Sequence, residues 1–356
     1  MHIGFDAKRY FHNRTGLGNY SRDLINTLLQ LHPDDRFFLY DKRPDIKNLP
    51  ANTIAVPPLN GGWLWRERGI QSEIKRYQLD VFHGLSNELP FGKWPERVRK
   101  IVTIHDVIFR HFPEHYALLD RSIYHFKTKH AVKIADVIVA TSFATAKDLE
   151  QFYQVDPNKI HVVYQTCGQQ HRLDYSASQV ADIAIKYRLP ETFLLYVSSF
   201  QTRKNHLALL KAFVQNKEQR SSLVLAGKPG NTLNEVKQFV SEHGMQDRVR
   251  LITDVASDEL PLLYRAASGF VYPSMIEGFG IPLIEAAYAN LPIAYNDIPV
   301  FRELAPEGSL AFDANNTQNF ASVLMALEAQ SKRSYDSALQ IFDPLKSAES
   351  VYRLYK

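Results

Sequence analysis

The sequence predicts an α/β protein with two doubly wound domains, each built on a parallel sheet, and three observations support this prediction. The chain has 356 residues, which exceeds one typical α/β domain and suits two domains of about 150–200 residues each. Short apolar runs alternate with longer helical patterns through most of the chain. A polar stretch from Thr166 to Pro190 interrupts this alternation, and we place the domain boundary there.

The strands expected in the first half are short runs, rich in β-branched or aromatic residues, that end at Gly, Asp, Ser or His. They are His2–Asp6, Phe37–Tyr40, Val81–His83, Ile101–His105, Val137–Thr141 and Ile160–Val163. The helical patterns between them cover Leu17–Leu31, Trp65–Tyr77, Glu114–Ile134 and Phe143–Tyr153. Strands that alternate with helices in this way are typical of parallel sheets whose two faces are covered.

The second half repeats the pattern. Its expected strands are Phe193–Val197, Ser222–Ala226, Val249–Ile252, Gly269–Tyr272 and Ile293–Tyr295. Its expected helices are Asn205–Asn216, Leu233–His243, Ser257–Ala267, Ile281–Ala289 and Thr317–Ala329. We therefore assign residues 1–170 to the first domain and 175–342 to the second. Each sheet carries its ligand crevice at the carboxyl ends of its strands, so two domains that face each other would share one cleft.

Composition and charge exclude several classes of protein. The single cysteine, Cys167, cannot form an internal disulfide, which fits a reducing compartment, and we interpret it as a small buried hydrophobe. No apolar stretch approaches the roughly 20 residues that cross a bilayer, and no signal peptide precedes the first strand, so we expect a cytoplasmic protein. Residues 1–170 carry 23 Lys and Arg against 18 Asp and Glu. This mild basic bias suits an anionic acceptor or membrane surface and is too weak to indicate nucleic-acid binding.

Two segments of the first half carry candidate ligand contacts. Gly16 and Gly18 stand at a strand-to-helix turn, where glycine allows an anion to approach the backbone closely. The third glycine of the dinucleotide fingerprint is missing, which argues against a dehydrogenase. His105 and Asp106 follow an apolar strand, at the position where side chains point into a ligand crevice.

Arg203 and Lys204 stand where the first helix of the second domain is expected to begin. Adjacent cations at that point oppose the helix dipole unless an anion is bound there. A diphosphate would supply the anion, since arginine offers a bidentate fork and lysine a point charge. Two solvated basic residues are the alternative explanation.

The most informative segment is a glycine-rich loop that leads from a strand into a helix. It reads Glu277-Gly278-Phe279-Gly280-Ile281-Pro282-Leu283-Ile284-Glu285. Pro282 falls near the first turn of the helix, where proline is tolerated. The N–H groups of residues 278–280 can donate to phosphate or sugar oxygens. Glu285 can bind the diol of a ribose and Glu277 a hexose hydroxyl, whereas two unrelated carboxylates would not require two glycines at the same turn.

With these motifs the chain resembles the retaining glycosyltransferase family 4 of the GT-B fold, and within it the mannosyltransferase-like members. The segment Glu277–Glu285 matches the paired-glutamate motif of that family, and Thr202-Arg203-Lys204-Asn205 resembles its diphosphate site. Gly16-Leu17-Gly18 and Ile104-His105-Asp106 also fit. One departure is that many members carry Gly-Arg where this chain has Ser198-Ser199, so that Arg203 would take the place of that arginine.

The resemblance implies hexosyl transfer with retained anomeric configuration through an oxocarbenium-like transition state. The implied catalytic residues are His105 against the donor sugar or phosphate, Arg203 and Lys204 against the leaving diphosphate, and Glu277 on the sugar hydroxyls. The implied donor-binding residues are Gly16, Gly18, Gly278, Phe279, Gly280 and Glu285, the last of these on the ribose. The final helix, about 343–356, is implied to pack on the N-terminal domain, with Tyr352 and Tyr355 as anchors.

The Arg-Lys-Asn sequence resembles members that use GDP-mannose, so we expect mannosyl transfer from this donor, with a UDP-linked hexose as the close alternative. The chain contains no Asp-x-Asp triplet, and we expect neither a metal nor a cofactor. A sugar-nucleotide epimerase and a non-catalytic sugar-nucleotide-binding protein of the same architecture remain open.

The expected acceptor is a glycan or a lipid-linked oligosaccharide of surface polysaccharide synthesis. We place it on the N-terminal domain, near Tyr10–Arg14 and Arg110–His111. The basic stretch Arg121–Lys133 is amphipathic. It is either a peripheral contact with anionic lipid or an ordinary surface helix, and the sequence leaves both interpretations open.

Overall fold

The computed structural model describes residues 1–13, 16–47, 49–58, 65–216 and 219–356. These residues form two compact units, one of residues 1–166 together with 341–356 and the other of residues 167–340. The boundary expected from the sequence, between residues 170 and 175, lies a few residues beyond this division.

Within the described residues, the first unit holds a parallel sheet of seven strands. They are β1 (His2–Asp6), β2 (Arg36–Tyr40), β3 (Thr53–Val56), β4 (Val81–Gly84), β5 (Arg99–Ile104), β6 (Val137–Ala140) and β7 (Ile160–Val162). Their order across the sheet is β3-β2-β1-β4-β5-β6-β7, and every neighbouring pair is parallel. The direction of winding reverses between β1 and β4, and such a switch point opens a ligand crevice at the carboxyl ends of the strands.

Among the described residues, six α-helices of the first unit come before the second unit in the chain. They are α1 (Lys8–His12), α2 (Gly16–Leu31), α3 (Ile70–Arg76), α4 (Ile108–His111), α5 (Leu118–Ile134) and α6 (Phe143–Tyr153). A π-helical turn, Trp65–Gly69, leads into α3. The predicted helix Glu114–Ile134 therefore begins later than expected, at Leu118, after a separate 3-10 turn at Pro113–His115.

The second unit, as far as the structure describes it, holds a parallel sheet of six strands. They are β8 (Phe193–Val197), β9 (Ser222–Ala226), β10 (Val249–Ile252), β11 (Gly269–Tyr272), β12 (Ile293–Asn296) and β13 (Leu310–Phe312). The order is β10-β9-β8-β11-β12-β13, so the winding reverses between β8 and β11. All five residues of β8 are buried, as expected for a strand covered on both faces.

Helices cover this second sheet. They are α7 (Ala177–Tyr187), α8 (His206–Gln215), α9 (Leu233–Glu242), α10 (Leu260–Ala266), α11 (Ile281–Tyr288), α12 (Pro299–Leu304), α13 (Thr317–Glu328) and α14 (Asp336–Leu339). Helix α7 falls inside the polar stretch that the sequence analysis left without a helix. Ser176 and Gln179 form a reciprocal capping box at its start, and Ile183 is its buried residue. The polar side chains of α7, namely Ser178, Gln179, Asp182 and Lys186, are exposed.

The C-terminal helix α15 (Pro344–Arg353) belongs to the first unit and packs against α2. The hydroxyl of Tyr352 donates to Asp35 Oδ2 at 2.7 Å. The hydroxyl of Tyr355 lies 2.8 Å from Nδ1 of the fully buried His83 on β4. Burial lowers the pKa of His83 to about 3, so the imidazole stays neutral. Both tyrosines named in the sequence analysis therefore attach the end of the chain to the first sheet.

Candidate active site

Two basic residues and one carboxylate meet at the switch point of the second sheet. Arg203 and Lys204 lie in a 3-10 turn that follows β8, and Glu277 lies in the loop that follows the neighbouring strand β11. The N–H of Met275 donates to the carbonyl oxygen of Arg203 at 2.9 Å and ties the two loops together. The cations do not begin a helix, as the sequence analysis expected, because Asn205 first turns the chain through the left-handed region at φ 59° and α8 starts after it.

The carboxylate of Glu277 binds both cations. Lys204 Nζ donates to Oε1, and Arg203 Nη1 donates to Oε2 at 3.3 Å. The hydroxyl of Tyr272 also donates to Oε1, at 3.2 Å. Burial disfavours the charged carboxylate, but Lys204 and Arg203 outweigh this effect and hold the pKa of Glu277 below its ordinary value. The anion that the two cations require is thus supplied within the protein by Glu277.

Buried side chains support the turn that carries Lys204. The hydroxyl of Tyr196 donates to the carbonyl oxygen of Lys204 at 2.7 Å. Next to it, the ring of His206 stacks on Phe200, with centroids 4.5 Å apart, and its Nε2 lies 3.1 Å from the hydroxyl of Ser198. Burial lowers the pKa of His206 to about 3. Ser198 stands where the resemblance led us to expect glycine. Its hydroxyl is within hydrogen-bond distance of the neutral ring of His206.

The glycine loop before α11 has a backbone that requires glycine at residue 280. Gly280 has φ 116°, and a Cβ built there would lie 2.8 Å from the ring of Phe301. Phe279 is buried at 4% exposure, so its side chain packs in the core while its backbone forms the loop. Pro282 follows near the first turn of α11, as predicted. The loop is therefore held in one backbone conformation immediately before the second glutamate.

Glu285 lies on the buried side of α11 and is 7% exposed. The hydroxyl of Tyr264 donates to its Oε2 at 2.8 Å, and His171 Nε2 lies 3.3 Å from its Oε1. Sequence reasoning missed both partners. Tyr264 stands in an ordinary apolar helix pattern and His171 in the polar stretch interpreted as a boundary, so neither carries a local signal of function.

His105 follows β5 in the first unit. Its Nε2–H donates to the carbonyl oxygen of Leu85 at 2.8 Å, and its Nδ1 accepts from the side-chain amide of Gln165 at 2.9 Å. Burial, assisted by nearby Arg9 and opposed by the hydrogen bond to Leu85, lowers the pKa of His105 to about 4, so the ring is neutral. Both ring nitrogens are engaged within the first unit. A nitrogen of His105 can contact a sugar or phosphate only if one of these hydrogen bonds is exchanged.

A pocket of about 270 Å³ opens beside His105 in the first unit. Its lining includes four charged side chains and the rings of one phenylalanine and two tyrosines, namely Arg9, Glu88, Asp106, Lys127, Phe109, Tyr116 and Tyr124. The Nε of Arg9 is buried and has no hydrogen-bond partner among the described residues. The pocket thus combines flat aromatic surfaces with a guanidinium nitrogen that the described part of the protein leaves unbonded.

The other described residues of the first unit that were predicted to contact donor or acceptor are not among those that line this pocket. Gly16 and Gly18 lie in the first turn of α2, and a Cβ at Gly18 would collide with the carbonyl oxygen of Asn13. Within the predicted acceptor segment 10–14, Arg14 falls outside the described residues. Arg110 and His111 contact α6 instead of the pocket, since Arg110 lies over the ring of Phe152 at 5.2 Å and His111 pairs with Asp148 at 2.8 Å.

Two known protein families match this chain. Residues 16–166 match the family described as Glycosyltransferase Family 4, and residues 183–337 match Glycosyl transferases group 1. The chain belongs to the family 4 glycosyltransferases. The family predicted from the paired glutamates is therefore confirmed, and the chain is a glycosyltransferase.

Several curated relatives of this glycosyltransferase are mannosyltransferases. It is 27% identical to the O-antigen chain mannosyltransferase RfbU of Salmonella typhimurium, over 64% of this chain and 60% of that protein. It is 25% identical to the O-antigen chain mannosyltransferase B of Escherichia coli, over 95% and 93% of the two chains. It is 32% identical to the GDP-mannose:cellobiosyl-diphosphopolyprenol alpha-mannosyltransferase of Xanthomonas campestris, over 42% and 41%.

Solved structures establish the fold of the glycosyltransferase. Sucrose-phosphate synthase from Thermosynechococcus elongatus aligns with a TM-score of 0.76 at 16% identity, over 100% of this chain and 98% of that one. Anabaena Alr3699/HepE, solved with UDP and glucose, aligns with a TM-score of 0.73 at 15% identity, over 99% of both chains. The predicted GT-B fold, with two Rossmann-like parallel sheets, is confirmed.

Proposed function

We propose that this glycosyltransferase transfers mannose from GDP-mannose to a glycan or lipid-linked acceptor, with retention of the anomeric configuration. The observation that carries the proposal is the ion cluster of buried Lys204 with Arg203 and Glu277, which lies on the same unit as the buried Glu285. The names of the relatives support mannose as the sugar, and one of those names includes GDP-mannose.

In this proposal the donor diphosphate takes the place of the Glu277 carboxylate on Arg203 and Lys204. The exchange leaves both cations neutralised, because one anion replaces another. Glu277 is then released to accept hydrogen bonds from the mannose hydroxyls. As the glycosidic bond breaks, negative charge grows on the leaving GDP, and the two cations stabilise that charge.

The same two cations support the proposal that the enzyme needs no metal and no cofactor. A divalent ion in sugar transfer neutralises the leaving diphosphate, and here two side chains that hydrogen-bond to Glu277 supply equivalent positive charge. Turnover is therefore expected to continue undiminished in excess EDTA. A loss of activity that Mn²⁺ restores would contradict this part of the proposal.

We assign the acceptor to the pocket beside His105. Phe109, Tyr116 and Tyr124 provide apolar ring surfaces of the kind on which a sugar packs. The unbonded Nε of Arg9 suits an oxyanion such as the phosphate of a lipid-linked acceptor. This assignment places the acceptor close to the residues expected from the sequence but on a different set of side chains.

Helix α5 supports a peripheral contact with a membrane that holds such an acceptor. Leu119, Ile123 and Phe126 recur at helical spacing and are 72%, 42% and 63% exposed. Exposed Lys129 and Lys133 follow them along the helix. No helix in the described part of the chain is long and apolar enough to cross a bilayer. An apolar stripe flanked by lysines is the pattern with which a helix lies on an anionic lipid surface.

The experiment for the donor and the reaction measures transfer of radiolabelled sugar from GDP-mannose or UDP-glucose to a bacterial lipid extract, in EDTA. We expect acceptor-dependent incorporation from GDP-mannose, and an α linkage in the product that matches the donor. Isomerised free sugar without acceptor would indicate an epimerase instead. Donor binding with no product in any extract would indicate a non-catalytic protein.

The membrane contact is tested by cosedimentation with vesicles that contain phosphatidylglycerol. Leu119→Gln combined with Phe126→Gln is expected to reduce vesicle binding about tenfold or more, since burial of each side chain contributes about 1.5–3 kcal/mol. Ile185→Gln is the matched control, because Ile185 is 76% exposed on α7 of the second unit. Equal binding by wild type, double variant and control would show that α5 is an ordinary surface helix.

A further inference from the structure

We infer that His171 is a positioning residue for the nucleotide ribose, acting through Glu285. The inference rests on the proposed function, in which Glu285 binds the ribose of the donor. It adds a residue from the 3-10 turn at Gln169–Arg172, close to the start of the second unit, to a donor site otherwise built from the loops after β8 and β11.

The carboxylate of Glu285 is held between two side chains, His171 and Tyr264, which we call the clamp. His171 Nε2 approaches one oxygen at 3.3 Å, and the Tyr264 hydroxyl donates to the other at 2.8 Å. All three side chains are nearly inaccessible, at 4% for His171, 7% for Glu285 and 0% for Tyr264. The rings of His171 and Tyr264 pack edge to face with their centroids 5.7 Å apart, so each ring also fixes the orientation of the other.

The clamp leaves the carboxylate with the capacity that a ribose needs. An ionised carboxylate offers about four acceptor positions on its two oxygens. Among the described residues one contact is made to each oxygen, which leaves one further position on each. Two adjacent hydroxyls of a ribose match these two positions. The clamp thus selects one orientation of Glu285 without consuming its capacity to accept.

The turn that presents His171 is itself fixed by hydrogen bonds. The N–H of His171 donates to the carbonyl oxygen of Gly168 at 3.0 Å, and the hydroxyl of Tyr175 donates to the carbonyl oxygen of Gln170 at 2.8 Å. Burial raises the pKa of Tyr264, and the nearby Glu285 raises it further, so this phenol stays protonated and donates its O–H to the carboxylate. The carboxylate of Glu285 therefore accepts an O–H from Tyr264 on one oxygen and has Nε2 of His171 within 3.3 Å of the other.

The test compares two nucleotides by calorimetry on the full-length protein. GDP carries the ribose diol, whereas 2′,3′-dideoxy-GDP lacks both hydroxyls and is otherwise the same. His171→Leu, which removes the ring nitrogens at similar volume, is expected to weaken GDP binding about tenfold, the effect of losing one polar contact with a charged group. Binding of 2′,3′-dideoxy-GDP is expected to change less than twofold. The KM for GDP-mannose should rise with the GDP dissociation constant, while kcat changes little.

Two further variants separate positioning from folding. His171→Gln retains an N–H close to the position of Nε2 and is expected to recover most of the GDP affinity. Tyr264→Phe removes the hydroxyl that donates to Glu285 and keeps the ring. It should reproduce the selective loss of GDP affinity if His171→Leu does not fold. His243→Gln, at an exposed position after α9, is the control and should bind both nucleotides as wild type does.

The outcomes distinguish this inference from the proposed function. Equal losses for both nucleotides, no loss, or tighter GDP binding in His171→Leu would overturn the positioning role. If Glu285→Gln loses GDP selectively while the His171 and Tyr264 variants do not, the ribose assignment stands and the clamp fails alone. If Glu285→Gln binds GDP as wild type does, or wild type binds no GDP, the assignment of the donor site fails and the clamp fails with it.

Discussion

Replacement of Lys204 by methionine is expected to lower kcat about 100- to 1,000-fold, the usual cost of removing one group that stabilises developing charge. Lys204 is 8% exposed and its ammonium contacts the carboxylate of Glu277, so methionine fills the volume but removes the charge. The KM for GDP-mannose should rise less than kcat falls, because the growing charge on the leaving diphosphate is stabilised most in the transition state. Steady-state kinetics with GDP-mannose measures both quantities.

Lys211→Met is the matched control for this substitution. Lys211 lies on α8, close in sequence, but it is exposed. It should retain the kcat of the wild type. The Lys204 variant must also be checked for folding, since it leaves Glu277 buried with one cation fewer, and a far-ultraviolet spectrum and a urea transition provide that check. A folded Lys204→Met enzyme with a wild-type kcat would contradict the proposed role of the cluster.

Gly280→Ala is expected to abolish most activity and to destabilise the second unit by about 1–3 kcal/mol, the typical cost of a side chain in a disallowed backbone region. The backbone at Gly280 has φ 116°, and the new Cβ would meet the ring of Phe301 at 2.8 Å. Either the loop or the ring must move, and the loop connects Glu277 to Glu285. Urea unfolding and kcat measured on the same preparation test both effects.

Gly244→Ala separates the effect of positive φ from the effect of the crowded site. Gly244 also has a positive φ, of 61°, but a Cβ there meets nothing within 4 Å. It should cost about 1 kcal/mol of stability, as left-handed alanine does, and leave kcat unchanged. If Gly280→Ala is as active as Gly244→Ala, the loop conformation does not determine the position of the glutamates.

The sequence predicted the fold well where strands are buried on both faces. Runs such as Phe193–Val197 and Gly269–Tyr272 coincide with observed strands because apolar composition and turn residues mark both of their ends. The strands missed, Thr53–Val56 and Leu310–Phe312, are short and lie at sheet edges, where partial exposure weakens the apolar pattern. Helix α7 was missed although its capping box, Ser176 with Gln179, is readable from the sequence.

Sequence motifs predicted the site residues, whereas the contact partners of those residues are determined by how the chain folds. Lys204 and Glu277 are 73 residues apart and meet because β8 and β11 are neighbours in the sheet. No local pattern indicates that this carboxylate neutralises that lysine. His171 and Tyr264 could not be predicted for a similar reason. Each is an ordinary residue type in its segment, and only its contact with Glu285 in the folded protein connects it with the site.

The most direct test of the central claim is a thermal-shift panel of GDP, GDP-mannose, UDP, UDP-glucose and NAD on wild type and Glu285→Ala. A nucleotide at 100 times its Kd adds about 2.7 kcal/mol of stability, which gives a clear shift in Tm. The account predicts stabilisation by GDP and GDP-mannose that is lost in Glu285→Ala. Stabilisation by UDP-glucose alone would contradict the choice of donor. Stabilisation by NAD alone, or by none of the five, would contradict the assignment of this site to a sugar nucleotide.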